Sequence, residues 1–377
     1  MRILADENLS QVRELFAPYG EVVAVPGRSI NASMLRDVDA LLVRSVTRVT
    51  AQMLAGSRCQ FVGTATSGLD HIDVEGLAAK HIKLSWARGC NSKAVVDYFF
   101  SVLAALTPAA GPDWQHASVG IIGCGEIGSL LAERLLQLGM PIRIYDPLLG
   151  AAHRYSRYFT SLQEVLKQQI ITLHVPLTHD GAAPTFHLLA ASQLAAIPAD
   201  SLLINAARGA TVDNHGLLQW LQHKPAQTVV LDTWENEPGI NLELLQRVRL
   251  ATPHIAGYSQ QGKLTGTRMV LQDFCQHFGL APAATAPEFT HELVIDAQAA
   301  CEPADQLNRL ILAAYDVRKD HEAMLALAHS CLPAEAFDDL RKHYPERHEF
   351  SHFRVAAAQL HTSIHPAARI LGFQVSD

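Results

Sequence analysis

With 377 residues the chain is long enough for two or three domains, and 49% hydrophobic against 18% charged residues is the balance of an ordinary globular protein rather than a disordered one. A net charge of -7 excludes a broad basic footprint for nucleic acid, and no apolar run approaches the length needed to cross a bilayer. Six scattered cysteines without a C-x-x-C pair point to a reducing cytoplasm, the N-terminus has no signal-peptide core, and nineteen histidines in no compact ligand pattern give no reason to expect a metal.

Short apolar runs at 2–5, 21–25, 40–43 and 60–63, separated by helical stretches, predict a smaller parallel sheet. A long helix is expected over 94–106, stopped by Pro108 and Gly111-Pro112. The apolar run 118–122 then enters Gly123-Cys124-Gly125-Glu126-Ile127-Gly128, and Ile127, Leu130, Leu131, Leu135 and Leu138 share one helical stripe that ends at Gly139. A further strand at 142–145 leads to Asp146, eighteen positions beyond Gly128. Strand, glycine turn, helix, strand and acid form a dinucleotide-binding unit: Gly123 makes the turn, Gly125 admits a pyrophosphate, and Gly128 packs the helix on the sheet. Asp146 would accept hydrogen bonds from both ribose hydroxyls and repel a 2′-phosphate, favouring NAD over NADP, while Arg143 reads as a solvated strand residue.

Apolar strands follow at 170–175, 201–206 and 228–232, and ligands in open α/β sheets bind beyond the carboxyl ends of strands. Three segments there carry an arginine, a carboxylate and a histidine: Asn205-Ala206-Ala207-Arg208-Gly209, Asp232-Thr233-Trp234-Glu235-Asn236-Glu237-Pro238 and Thr252-Pro253-His254. Oxidation of a 2-hydroxy acid needs these groups. Arg208 would grip the carboxylate, His254 would take the hydroxyl proton, and Glu237 would orient the imidazole. The Pro/Ala-rich stretch 281–287 reads as a linker to a small terminal α/β module.

These motifs resemble the D-isomer-specific 2-hydroxyacid dehydrogenase family over most of the first 280 residues. The resemblance implies two doubly wound parallel-sheet domains, a Rossmann NAD domain over 93–256 and a flavodoxin-like substrate-binding lid over 1–92 with 257–284, plus a C-terminal dimerisation domain over 285–377. It places Arg208, Glu237 and His254 in catalysis, and Ser45, Thr66 and Tyr258 at the substrate. Gly123, Gly125, Glu126, Ile127, Gly128, Asp146, Val175, Ala206, Ala207, Arg208, Asp232 and Gly257 fall at the NAD. Asp232 reads equally well as a turn carboxylate, and Val175, where relatives carry a hydroxyl, could contribute only packing or a backbone group. Ser45 could be a turn hydroxyl, Arg44 beside it either a phosphate ligand or a solvated cation, and Arg88, where relatives have proline, either a loop change or an anion contact. Within the family, the stretches 64–73, 89–91 and 174–178 and the C-terminal extension resemble the branch that oxidises 4-phospho-D-erythronate to 2-oxo-3-hydroxy-4-phosphobutanoate on the way to pyridoxal 5′-phosphate, as a homodimer. A dehydrogenase for a different 2-hydroxy acid and an NADH-responsive interaction protein are the competing readings.

Overall fold

The computed structural model describes residues 1–107, 114–282, 293–294 and 302–376, so the helix stop at Pro108 and Gly111-Pro112 and most of the 281–287 linker lie outside the described residues. The chain forms two compact units, Met1–Ser92 with Tyr258–His291 and Lys93–Gly257 with Glu292–Asp377.

In the first unit β1 (Arg2–Asp6), β2 (Glu21–Val25), β3 (Ala40–Val43), β4 (Phe61–Thr64) and β5 (Lys83–Trp86) are all parallel, in the order β2-β1-β3-β4-β5. Both faces are covered, which is why the strands read as apolar runs rather than as alternations. Ile3, Ala5, Leu42 and Phe61 fill one face, and Leu4, Leu41, Val43 and Val62 the other. The late helix Gln260–Phe278 belongs to this unit because its Leu264, Val270 and Phe274 complete the first of these cores. Phe274 meets Phe16 and Phe61 edge-on, with ring centroids 5.3 and 5.5 Å apart. Strand order reverses between β1 and β3, and the carboxyl ends of those two strands lead to Asp6 and Arg44.

The second unit holds β6 (Val119–Ile122), β7 (Ile142–Tyr145), β8 (Ile170–Leu173), β9 (Leu202–Asn205), β10 (Thr228–Leu231) and β11 (Leu250–Ala251), again all parallel, in the order β11-β10-β9-β8-β6-β7. Phe159 adds a single parallel bridge to Ile144 on the free side of β7, secured by Thr160 N–H donating to Ile144 O at 2.8 Å. Counting that bridge as a vestigial strand restores the order expected of a dinucleotide-binding sheet, whose switch point lies between β6 and β8. The register aligns Ile122, Leu173, Asn205, Leu231 and Ala251 across the sheet. Gly123, His174, Ala206, Asp232 and Thr252 therefore emerge together along one edge.

The helix Glu126–Gln137 buries Gly128, Leu131, Ala132 and Leu135, and also Arg134. That charge is tolerated because Arg134 Nη1 lies 2.8 Å from Asp97 Oδ1 on the helix Ser92–Leu106. A third parallel sheet, β12 (Leu293–Val294), β13 (Phe353–Ala356) and β14 (Gln374–Ser376), lies late in the chain. Met324, Leu327 and Phe337 from this region join the same buried cluster as Leu203, Leu231 and Trp234. No helix among the described residues is long and apolar enough to cross a membrane.

Candidate active site

The glycine turn is built by three different constraints. Gly123 sits at φ +93, where an L side chain is strained, and a Cβ on Gly128 would lie 2.0 Å from Gly123 O. Gly125 is different: a Cβ there would meet nothing within 4 Å. Nothing in the protein itself requires a glycine at that point, and the open space at the start of a twelve-residue helix suits a pyrophosphate held by backbone N–H groups and the helix dipole. Asp146 accepts from Cys124 N–H at 2.8 Å and Leu148 N–H at 3.2 Å, tying the end of β7 to this turn with lone pairs left for a diol. Glu126 is exposed and Ile127 half-buried in the first turn of that helix, and Arg143 is exposed, as its strand position suggested.

Beyond β8, Val175 is half-buried against the core and its Cγ1 crowds Gly123, so its side chain contributes packing. His174 beside it is half-buried, with Nε2 3.1 Å from Thr172 Oγ1 and a buried Nδ1 that has no partner. Burial drives its pKa down to about 3. In the unfolded chain it titrates near 6.5, so between pH 6.5 and 3 only the unfolded chain takes up this proton. Stability should accordingly fall by about 1.4 kcal/mol per pH unit through that window from this group alone. His174→Gln should flatten the decline, as measured by urea unfolding at pH 7, 6, 5 and 4; parallel slopes for both proteins would refute it.

The loops after β9, β10 and β11 are locked to one another. Asn205 Oδ1 accepts from Ala207 N–H at 3.1 Å while its Nδ2 donates to Arg208 O at 3.0 Å, which shapes the turn carrying Ala206, Ala207 and Arg208. Arg208 Nη1 donates to Ala207 O at 2.8 Å. A Cβ on Gly209 would fall 1.9 Å from Trp234 C, so only glycine lets this turn press on the backbone of the next loop. There Glu237 Oε1 accepts from Trp234 N–H at 2.8 Å, and Oε2 lies 2.7 Å from His254 Nδ1. Burial raises the Glu237 pKa, but the charge and hydrogen bond of His254, the Trp234 N–H and the field of Arg341 outweigh it and hold the carboxyl below its ordinary value.

His254 occupies the left-handed region, at φ +56. A non-glycine residue persists there only when its surroundings over-determine it. Asp232 supplies much of that constraint. Its carbonyl accepts from His254 N–H at 2.7 Å, and its buried carboxylate accepts from Thr252 Oγ1 at 2.6 Å, Ile255 N–H at 2.8 Å and Ala256 N–H at 3.0 Å. These bonds are those of a turn carboxylate; Gly257 follows directly, half-buried.

Ser45, Thr66 and Tyr258 belong to the first unit. Ser45 is exposed two residues past β3, Thr66 Oγ1 lies 2.8 Å from Thr64 Oγ1, and the Lys263 ammonium stands 5.2 Å from the Tyr258 ring centre. Arg88 is exposed in the loop after β5. Beyond the residues singled out in the sequence, His187, Asp213 and Glu235 bring donor atoms within 4.8 Å of one another. Glu235 spends one oxygen on His187 at 2.7 Å and the other on Asn214 N–H at 2.8 Å, and Asp213 caps the helix Asn214–His223 through Gly216 N–H, so the group is accounted for as a loop-to-helix tie.

Residues 104–256 match the NAD binding domain of D-isomer specific 2-hydroxyacid dehydrogenases, and residues 289–366 match a domain of unknown function. Over its whole length the chain is similar to named enzymes: it is 42% identical to the erythronate-4-phosphate dehydrogenase of Cellvibrio japonicus over 99% of this chain and 100% of that one. The chain belongs to the erythronate-4-phosphate dehydrogenase family of D-isomer-specific 2-hydroxyacid dehydrogenases. The Yersinia pestis member is 44% identical over 93% of each chain. Among solved structures, NAD-bound 3-phosphoglycerate dehydrogenase of Entamoeba histolytica has a TM-score of 0.63 at 22% identity, covering 74% of this chain and 95% of that one. D-lactate dehydrogenase of Aquifex aeolicus with NAD and lactic acid has a TM-score of 0.62 at 22% identity, covering 74% and 96%. At that identity these two establish the shared fold. The protein is an NAD-dependent 2-hydroxyacid dehydrogenase, and NAD is its cofactor.

Proposed function

We propose that this dehydrogenase oxidises 4-phospho-D-erythronate to 2-oxo-3-hydroxy-4-phosphobutanoate, a step toward pyridoxal 5′-phosphate, with His254 as acid–base. The observation that carries the mechanism is the 2.7 Å contact between His254 Nδ1 and an ionised Glu237. A carboxylate can only accept, so Nδ1 keeps its hydrogen and the Nε2 lone pair is left to receive the proton of the C2 hydroxyl. Once Nε2 is protonated, Glu237 stabilises the imidazolium without taking a proton itself. Arg208 holds the substrate carboxylate and polarises the C2 oxygen. The chemistry supplied by bound NAD is acceptance of the hydride that leaves C2.

Gly123, Gly125, Glu126, Ile127 and Gly128 would hold the pyrophosphate, and Asp146 the adenosine ribose. Val175, Ala206, Ala207, Arg208, Asp232 and Gly257 would line the rest of the cofactor, with Asp232 acting through the loop it organises. Replacing Asp146 with alanine removes charge-assisted bonds of about 1.5–3 kcal/mol and frees the Cys124 N–H. NAD affinity should drop about 10- to 150-fold while NADP loses far less, as read by calorimetric titration with each dinucleotide. Equal losses for both would refute the ribose assignment.

Ser45, Thr66 and Tyr258 would contact substrate, and Arg44 supports a phosphorylated one. Its Nε and Nη2 lie 2.9 and 3.4 Å from the carboxylate oxygens of Asp6, which is completely buried, so the guanidinium is fixed at the β1/β3 reversal with N–H groups left to donate. Purified protein should reduce NAD with 4-phosphoerythronate, and erythronate without its phosphate should react with a much lower kcat/KM. Faster turnover of glycerate or 3-phosphoglycerate would overturn the substrate assignment. Family membership supports a cytoplasmic homodimer joined through the last domain, which sedimentation would test.

A further inference from the structure

The region of unknown function reaches the loop that carries His254. Arg347, in the segment between the helix Pro333–Lys342 and β13, is only 6% exposed. Its Nη1 donates to Ile255 O and to Ala256 O, both at 3.2 Å, and its Nη2 donates to Ala94 O at 2.6 Å. The guanidinium carbon lies over the Tyr315 ring, 3.7 Å from its centre, and Tyr315 and Tyr344 share Asp320 as acceptor at 2.6 and 2.9 Å. Asp232 holds the N–H groups of residues 254, 255 and 256, and Arg347 holds the carbonyls of 255 and 256. The peptide just beyond the left-handed His254 is therefore clamped through both its donors and its acceptors, by side chains from two distant parts of the sequence.

We propose that Arg347 is a positioning residue for the acid–base histidine, and that the C-terminal region serves catalysis by supplying it. The guanidinium suits the task because its rigid fork meets the three carbonyls from two nitrogens, Nη1 on Ile255 and Ala256 and Nη2 on Ala94, where an ammonium has a single nitrogen. The proposal rests on the reading of His254 as acid–base. Loosening the clamp lets the imidazole leave the reactive pose while the cofactor turn and the Arg208 loop stay as they are, so the effect belongs in kcat.

Arg347→Ala and Arg347→Lys should fold, bind NAD as the parent does, and keep KM for the 2-hydroxy acid within about threefold, while kcat falls about 10- to 100-fold. Guanidinium ion at millimolar concentration should restore part of the kcat of Arg347→Ala and leave the parent unchanged. A kcat equal to the parent in either folded variant, or a loss confined to KM, would overturn the proposal. If Arg347→Ala does not fold, Arg347→Lys decides alone by the same criterion. His254→Ala is run beside them on whichever 2-hydroxy acid the parent oxidises. Full activity there would sink the acid–base reading itself, whereas loss there with unchanged Arg347 variants would sink only the present inference.

Discussion

His254→Ala should lose two to four orders of magnitude in kcat for 2-hydroxy acid oxidation while binding NAD as tightly as the parent. General acid–base groups contribute about 10²- to 10⁴-fold, and this imidazole is placed for the role by a 2.7 Å bond to Glu237 and a strained backbone at φ +56. The loss should be largest at the pH where the parent is fastest and should shrink as hydroxide takes over the proton. Glu237→Gln should fall less, because an amide still accepts from Nδ1 but no longer balances the imidazolium charge. Stopped-flow turnover of the three proteins across pH 6 to 10 checks both statements. A His254→Ala enzyme with parental kcat would remove the proton-transfer role.

Arg208→Lys should cost about 30- to 5,000-fold in kcat/KM, despite the conserved charge. Breaking a hydrogen-bonded charge pair costs about 2–5 kcal/mol, and an ammonium cannot reproduce the planar fork that grips a carboxylate and the adjacent C2 oxygen together. The turn itself should survive the change, since Asn205 and Thr211 hold it through the Arg208 carbonyl, at 3.0 and 2.6 Å, in addition to the guanidinium's own bond to Ala207 O. Thermal unfolding should therefore shift little while activity collapses. A variant that loses both together would assign Arg208 to the fold instead of the chemistry.

Much of this architecture was legible because its causes are local. The glycine turn, its apolar helix stripe and Asp146 announce themselves within 24 residues. The strand ends that lead to Arg208 and Asp232 follow from the apolar runs at 201–206 and 228–232, whereas the strand before His254 is only the two residues Leu250–Ala251 and is set by its pairing with Val230 and Leu231. What stayed hidden depends on partners far along the chain. Arg347 and Ile255 are 92 positions apart, and nothing near Arg347 marks it as anything but one more basic residue. Arg134 is buried on its helix because Asp97, 37 positions earlier, neutralises it. The bridge at Phe159 is a single residue long, too short to leave any periodicity. The tie between His187, Asp213 and Glu235 joins three loops whose spacing fits no ligand pattern.

The Gly209 contact with Trp234 has a practical corollary for anyone seeking to retarget the enzyme. With no room for even a methyl group between these two turns, the carriers of the Arg208 guanidinium and the Glu237 carboxylate behave as one casting, and directed evolution aimed at either turn should return mostly dead clones. Libraries aimed at the proposed substrate contacts should therefore randomise Ser45, Thr66 and their neighbours, leaving the casting untouched.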